Sequence, residues 1–176
     1  MKKYIGILVL LGIVGLGLQK IAAQKMKLKI GDKVPSFSLT NQDGEVFNSM
    51  TVIGVKPVVL YFYPKNETPG CTKQACKFRD EFEVFSDLGV EVIGVSADDV
   101  ASHKAFAQKY KLPFTLLADE DKALRKMFGV PKNLLGLMPG RVTYIINKEG
   151  VITHIFDHLF NAENHINEAL ESLKKG

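Results

Sequence analysis

Cysteine is scarce in this chain of 176 residues: there are two, Cys71 and Cys76, five residues apart. Tryptophan is absent, and so are internal repeats and low-complexity tracts, which leaves one domain with an adequate core as the expectation. The four histidines, His103, His154, His158 and His165, are dispersed, and His154 and His158 straddle a strand end and not one helix face. Two cysteines and scattered histidines do not make the roughly four convergent ligands that zinc takes, so no metal is expected. No glycine-rich phosphate loop is present either, because Gly12, Gly15 and Gly17 fall in an apolar leader. Nothing in the sequence supports haem, flavin or nucleotide, and no cofactor is expected.

Excess charge is also missing once the leader is set aside. The chain carries 23 basic and 19 acidic residues, a net +4, but Lys2, Lys3 and Lys20 belong to the leader and the remainder is +1. That removes the main compositional argument for nucleic acid, which needs clustered basic residues on one face. The small run Lys25, Lys27 and Lys29 reads as a solvated linker.

A hydrophobic run long enough to span a bilayer is lacking as well. Tyr4 to Leu18 is a run of fifteen residues; as a helix it reaches about 22 Å, short of the roughly 30 Å hydrocarbon core. Preceded by Lys2-Lys3 and followed by Ile21-Ala22-Ala23, it has the charged, apolar and small-residue regions of an export signal. Cleavage is expected after Ala23, with retention as an uncleaved N-terminal membrane anchor as the alternative. No cysteine follows the run, which excludes a lipoprotein anchor. The expected organisation is a leader at 1–23, a linker at 24–30 and a domain at 31–176. The expected location is exported: periplasmic, or extracytoplasmic and membrane-anchored.

The body of the chain alternates strand-like and helix-like segments. Phe37 to Thr40 and Val46-Phe47 flank Asn41-Gln42-Asp43-Gly44 and read as a hairpin. A β-branched and aromatic strand at 58–63 leads into a helix over 69–87, then a strand at 90–97, a helix at 100–110 and a short strand at 115–117. A helix at 122–128 precedes a second hairpin, 142–146 with 151–156, and a last amphipathic helix covers 163–174. This order predicts an α/β fold with a mostly parallel sheet covered on both faces and finished by an antiparallel hairpin.

The cysteines sit at the junction of the strand at 58–63 and the helix that follows. Thr68-Pro69 is a helix start, with threonine as N-cap and proline at the first helical position, so Cys71 falls in the first turn. Unpaired backbone N–H groups and the positive end of the helix dipole favour a thiolate there, which makes a nucleophile. At 100° per residue Cys71 shares a stripe with Ala75, Phe78, Phe82 and Phe85, while Cys76 lies on the polar side beside Arg79, Asp80 and Glu83. In an intact helix the two Cα atoms stand about 8.7 Å apart, beyond the about 7 Å a disulfide tolerates. A bond between them requires the first turns to unwind.

The stretch Tyr63-Pro64-Lys65-Asn66-Glu67-Thr68-Pro69-Gly70-Cys71-Thr72-Lys73-Gln74-Ala75-Cys76 resembles the peroxiredoxins through their Pro-x-x-x-Thr-x-x-Cys motif. The second cysteine five residues on is similar to the peroxiredoxin Q, or bacterioferritin comigratory protein, branch. A second stretch, Phe128 to Arg141, resembles that branch too. The resemblance covers about Gly31 to Leu173. It implies a thioredoxin-like fold with a central mixed sheet flanked by helices, and thiol-dependent reduction of hydrogen peroxide and organic hydroperoxides. It also assigns roles: Cys71 as peroxidatic nucleophile, Cys76 as resolving thiol forming a Cys71–Cys76 disulfide, Thr68 and Arg141 holding thiolate and peroxide, and Pro64 shielding the thiolate. Gly70 is expected to leave room for a substrate oxygen. The implied reductant is thioredoxin or a thioredoxin-like protein, and with both cysteines in one chain a monomer is expected. Asn66 and Glu67 stand where many members carry aspartate.

Other readings stay open on the residues themselves. Thr68 also serves as a plain N-cap, Arg141 as a solvated strand-start residue and Pro64 as a strand terminator. Thiol–disulfide exchange on proteins is a second redox class, although it usually uses Cys-x-x-Cys. A non-catalytic exported binding module with a static bridge is the third, weakened because a five-residue link constrains little of the unfolded chain.

Overall fold

The computed structural model describes residues 27–133 and 135–175. The expected leader, 1–23, and residues 24–26 of the expected linker lie outside the described residues. The chain opens with a hairpin of β1 (Ser38–Asn41) and β2 (Val46–Asn48). Gly44, at φ 83°, takes the left-handed conformation that its turn requires. The elements that follow are β3 (Val58–Phe62), α1 (Pro69–Asp80), α2 (Phe82–Asp87), β4 (Glu91–Ser96), α3 (Val100–Tyr110), β5 (Thr115–Ala118) and α4 (Ala123–Phe128). A two-residue pair, β6 (Lys132–Asn133) with β7 (Met138–Pro139), precedes β8 (Val142–Ile146), β9 (Ile152–Asp157) and α5 (Asn164–Lys174).

Seven strands form one sheet in the order β2-β1-β5-β4-β3-β8-β9. The parallel pairings are β3 with β4 and β4 with β5; β1 runs antiparallel to both β2 and β5, and β8 to both β3 and β9. The sheet is therefore mixed, and the mostly parallel sheet expected from element order is corrected. The physical reason is that each terminal hairpin joins the parallel centre through an antiparallel neighbour, a pairing that no strand's own residues encode. The expected thioredoxin-like arrangement of a mixed sheet flanked by helices is observed.

β3 is an interior strand, between β4 and β8, and is buried along its whole length. Its side chains alternate between two cores, as the period of two dictates. Val59, Tyr61 and Tyr63 face a cluster closed by Phe78 of α1, Phe85 of α2, Phe106 of α3 and Ile166 of α5. Val58, Leu60 and Phe62 face another, closed by Leu124 and Phe128 of α4 with Leu28 and Val34 from the start of the described chain. Gly94 of β4 lies opposite Tyr61, and a Cβ there would meet the Tyr61 ring at 2.7 Å. The absent side chain lets the phenol lie flat across β4 and under α1.

The helix expected over 69–87 breaks at Glu81 (φ −98°, ψ 8°), whose N–H turns back to the Lys77 and Arg79 carbonyls. Phe78 and Phe85 are both buried on either side of it, so the apolar period continues through a break that no glycine or proline announces. Among the described residues no helix is long and apolar enough to cross a membrane.

Candidate active site

α1 begins where β3 delivers the chain, and the expected stripe is buried except at Phe82: Cys71, Ala75, Phe78 and Phe85 are each 2% exposed or less, while Phe82 is half-buried against the same core. Cys71 is enclosed and Cys76 half-buried, and both are free thiols. Thr68 occupies the N-cap position with extended backbone, but its hydroxyl makes no capping bond. It donates instead to the Lys65 carbonyl at 3.0 Å, which ties the turn before the helix to itself.

Arg141, two residues beyond the β6–β7 pair, is 4% exposed and not the solvated residue that its type suggests. Its guanidinium ties α1 to the segment that follows β9. Nε donates to the Leu159 carbonyl at 2.9 Å, Nη1 donates to Gln74 Oε1, and Nη2 points to Cys71 Sγ at 3.5 Å. A planar cation fixed on two sides and open on the third is a preorganised donor for charge on sulfur or on a departing oxygen. Gly70 is what admits it, because a Cβ there would lie 3.1 Å from Arg141 Nη2. The space expected to serve a substrate oxygen is taken up first by the arginine.

A cleft of about 210 Å³ opens beside this first turn, lined by Pro69, Gly70, Lys73 and Phe160 among others. A wider one, about 370 Å³, lies where β1 meets β5 and holds no cysteine, histidine or arginine. Pro64 is half-buried between the end of β3 and the turn leading to α1.

Four residues that sequence reasoning passed over complete the site. Gln74 is fully buried and braces Arg141, while its own Nε2 finds no partner among the described residues. Its spacing of three from Cys71 on one helix was the signal available. Arg125 of α4 is 6% exposed and donates to the Gly140 carbonyl at 2.9 Å and the Tyr63 carbonyl at 2.7 Å. One buried cation thus joins the residue before Pro64 to the residue before Arg141, and burial pulls its pKa down. His165 is fully buried at the start of α5, donating from Nε2 to the His158 carbonyl at 2.9 Å and leaving Nδ1 to accept from Thr143 at 2.8 Å. It secures the 157–160 segment that carries the Leu159 carbonyl. His103 of α3 is likewise buried, against Tyr63 and Asn66.

Comparison with known proteins agrees with this geometry. Residues 30–155 match the AhpC/TSA family. The chain belongs to that family. Within it the chain is a peroxiredoxin Q protein by likeness to chloroplastic peroxiredoxin Q of Triticum aestivum, at 53% identity over 84% of this chain and 68% of the relative. Among solved structures, a peroxidoxin of Mycobacterium tuberculosis superposes with a TM-score of 0.77 at 34% identity, covering 85% of this chain and 97% of its own. The bacterioferritin comigratory protein of Xanthomonas campestris, described for its alkyl peroxide reduction activity, superposes at 0.72 with 30% identity over 79% and 90%.

These relatives correct the expected location. The wheat protein and its counterparts from Populus jackii and Arabidopsis thaliana are chloroplastic, which contradicts the expectation of a periplasmic or membrane-anchored exported protein. The reason is that lysines ahead of a short apolar run make an address read by a receptor, and composition alone does not say which membrane carries that receptor.

Proposed function

We propose that the chain is a thiol peroxidase in which Cys71 attacks the O–O bond of hydrogen peroxide or an organic hydroperoxide. The Cys71 thiolate takes the terminal oxygen and becomes a sulfenic acid, and the departing oxygen leaves with one proton as water or an alcohol. Cys76 then attacks the Cys71 sulfur, expelling water and closing an intramolecular disulfide. A thioredoxin-like dithiol reduces that bond with two electrons, and the cycle restarts. With both thiols in one chain no second subunit is needed, and the working unit is a monomer.

One observation carries the reading: the Arg141 fork is held by Leu159 and Gln74 with its remaining arm on Cys71 Sγ at 3.5 Å. Thiolate character alone leaves most of the barrier in place, because enzymes lower it by about 8 kcal/mol or more. Polarisation of the peroxide supplies the remainder, with Arg141 and the first-turn N–H groups at Gly70 and Cys71 as donors. Thr68 contributes hydroxyl lone pairs, and Pro64 keeps water from the sulfur.

The test uses one equivalent of hydrogen peroxide on the reduced protein, with free thiols and intact mass followed for wild type, Cys71→Ser and Cys76→Ser. Wild type should lose two hydrogens, Cys76→Ser should stop at the sulfenic acid, and Cys71→Ser should barely react. Equal, slow reaction of all three would overturn the reading and leave disulfide exchange or a static bridge. Sedimentation velocity before and after oxidation checks the monomer.

A further inference from the structure

The turn that delivers Thr68 and Cys71 is bolted to α3 by a buried network. Asn66 is 4% exposed, while Tyr63, Ser96 and His103 are 1% exposed or less. The Asn66 backbone N–H donates to Asp98 at 2.9 Å, its side-chain Oδ1 accepts from the Tyr63 hydroxyl at 2.7 Å, and Nδ2 donates to Ser102 at 3.0 Å. Nδ2 also meets His103 Nδ1 at 3.2 Å. The next residue, Glu67, sits at φ 60°, a left-handed backbone that a non-glycine residue enters only when held. Lys109 at 2.7 Å and Tyr110 at 3.1 Å, both from the far end of α3, hold its carboxylate.

The polarity of each bond follows from its neighbours. His103 Nε2 lies 3.5 Å from Ser96 Oγ, whose own hydroxyl proton goes to Asp98 at 2.6 Å. With its proton spent, the serine oxygen accepts, so Nε2 carries the proton and Nδ1 presents a lone pair. The lone pair needs a donor, and the amide of Asn66 is the donor, while its oxygen takes the tyrosine proton. Asparagine satisfies both neighbours at once. Aspartate at this position would set a carboxylate against that lone pair unless His103 gained a second proton. The groups facing His103 are Tyr63 and Asn66 from the end of β3 and the following turn, Ser96 and Asp98 from the end of β4, Asp99 from the cap of α3 and the Leu117 carbonyl of β5. Burial keeps the ring neutral, against the attraction of Asp98 and Asp99.

We infer that Asn66 and His103 are a positioning pair for the peroxidatic cysteine: through them α3 sets the 64–68 turn, and so holds Thr68 and the first turn of α1 beneath Arg141. The inference rests on the reading of Cys71 as the peroxide-reactive thiol. A displacement of about 1 Å at reacting atoms costs on the order of 100-fold in rate, so loosening one end of this turn should cost about 10-fold or more.

The experiment is a single-turnover measurement of Cys71 oxidation by excess hydrogen peroxide, on wild type, Asn66→Ala and Asn66→Asp, between pH 8 and pH 5.5. Each variant is scored as its ratio to wild type at the same pH, with the protonation of His103 followed by NMR of its ring. Asn66→Ala should be about 10-fold slower or more at every pH. Asn66→Asp should be slowed alike at pH 8 and should recover towards wild type as His103 takes up its second proton and donates to the new carboxylate. Should Asn66→Ala fail to fold, Ser102→Ala, which deletes one acceptor at the rim of the network, stands in and should show a smaller, pH-independent loss. Variants within about twofold of wild type throughout, or an aspartate variant that protonates His103 without recovering rate, would overturn the inference. A wild type that does not react overturns the underlying reading instead.

Discussion

Acid should destabilise this protein through one histidine, and the effect has a calculable size. His165 is enclosed, with Nε2 donating to the His158 carbonyl at 2.9 Å and the ring edge-on to Phe156 at a centroid distance of 4.6 Å. Burial, with smaller contributions from the nearby Arg141 and His158, lowers its pKa from 6.5 to about 4, against the opposing pull of the His158 carbonyl. Above 6.5 the ring is neutral whether the chain is folded or not, and its contribution to stability is complete. As pH falls past 6.5 the unfolded chain takes the proton first, and stability is lost until the folded ring also titrates near 4. Two and a half units at about 1.4 kcal/mol each amount to about 3 kcal/mol, a large share of the 5–15 kcal/mol typical of a domain. Urea unfolding, followed by far-UV circular dichroism because the chain has no tryptophan, measures it at pH 7 and pH 4. Wild type should lose about 3 kcal/mol more over that interval than His165→Gln, which keeps a donor for the His158 carbonyl. Losses that agree within about 1 kcal/mol would refute the reasoning, since the carboxylates are common to both proteins.

Three further outcomes test the site. Arg141→Lys puts a single point charge where a fork serves Cys71, Gln74 and Leu159, so kcat/KM for peroxide should fall by about 100-fold to 1,000-fold; a change under threefold would remove the arginine from the chemistry. Gly70→Ala places a methyl 3.1 Å from Arg141 Nη2, and the guanidinium has to shift by a few tenths of an ångström. That should slow peroxide reaction about 10-fold with little change in melting temperature, and an unchanged rate would show that the guanidinium needs no fixed place. Closing the Cys71–Cys76 bond should unwind the start of α1, since about 8.7 Å between Cα atoms exceeds what a disulfide spans. Hydrogen exchange of the amides from Thr72 to Cys76 should then quicken in the oxidised form, and unchanged protection would refute it.

The parts legible in the sequence are those with local signals. Thr68-Pro69 starts α1 where expected, the β-branched and aromatic run at 58–63 forms β3, and the Asn41–Gly44 turn closes its hairpin. The pairing of a first-turn cysteine with a second on the polar side of the same helix was likewise visible, because 100° per residue is a property of the backbone alone. Arg141 was legible only through likeness to a family. Nothing in its neighbours separates an arginine that will be solvated from one that meets Gln74 and Cys71, which lie 67 and 70 residues away along the chain.

The remaining features belong to the tertiary fold. β6 and β7 are two residues each and exist because they pair with each other; the antiparallel placement of β1 and β8 against a parallel centre depends on partners far along the chain. Gln74, Arg125, His103 and His165 are ordinary polar residues in a sequence. Each becomes part of the site because burial obliges a polar group to find partners, and here those partners are the Arg141 fork, two backbone carbonyls, the Asn66 amide and the His158 carbonyl. The sequence by itself determined the first-turn cysteine, its helix and the helical period that buries it, since these follow from spacing within a few residues. Only the tertiary structure decided what surrounds the sulfur, because those bonds form between residues whose separation along the chain carries no local signal.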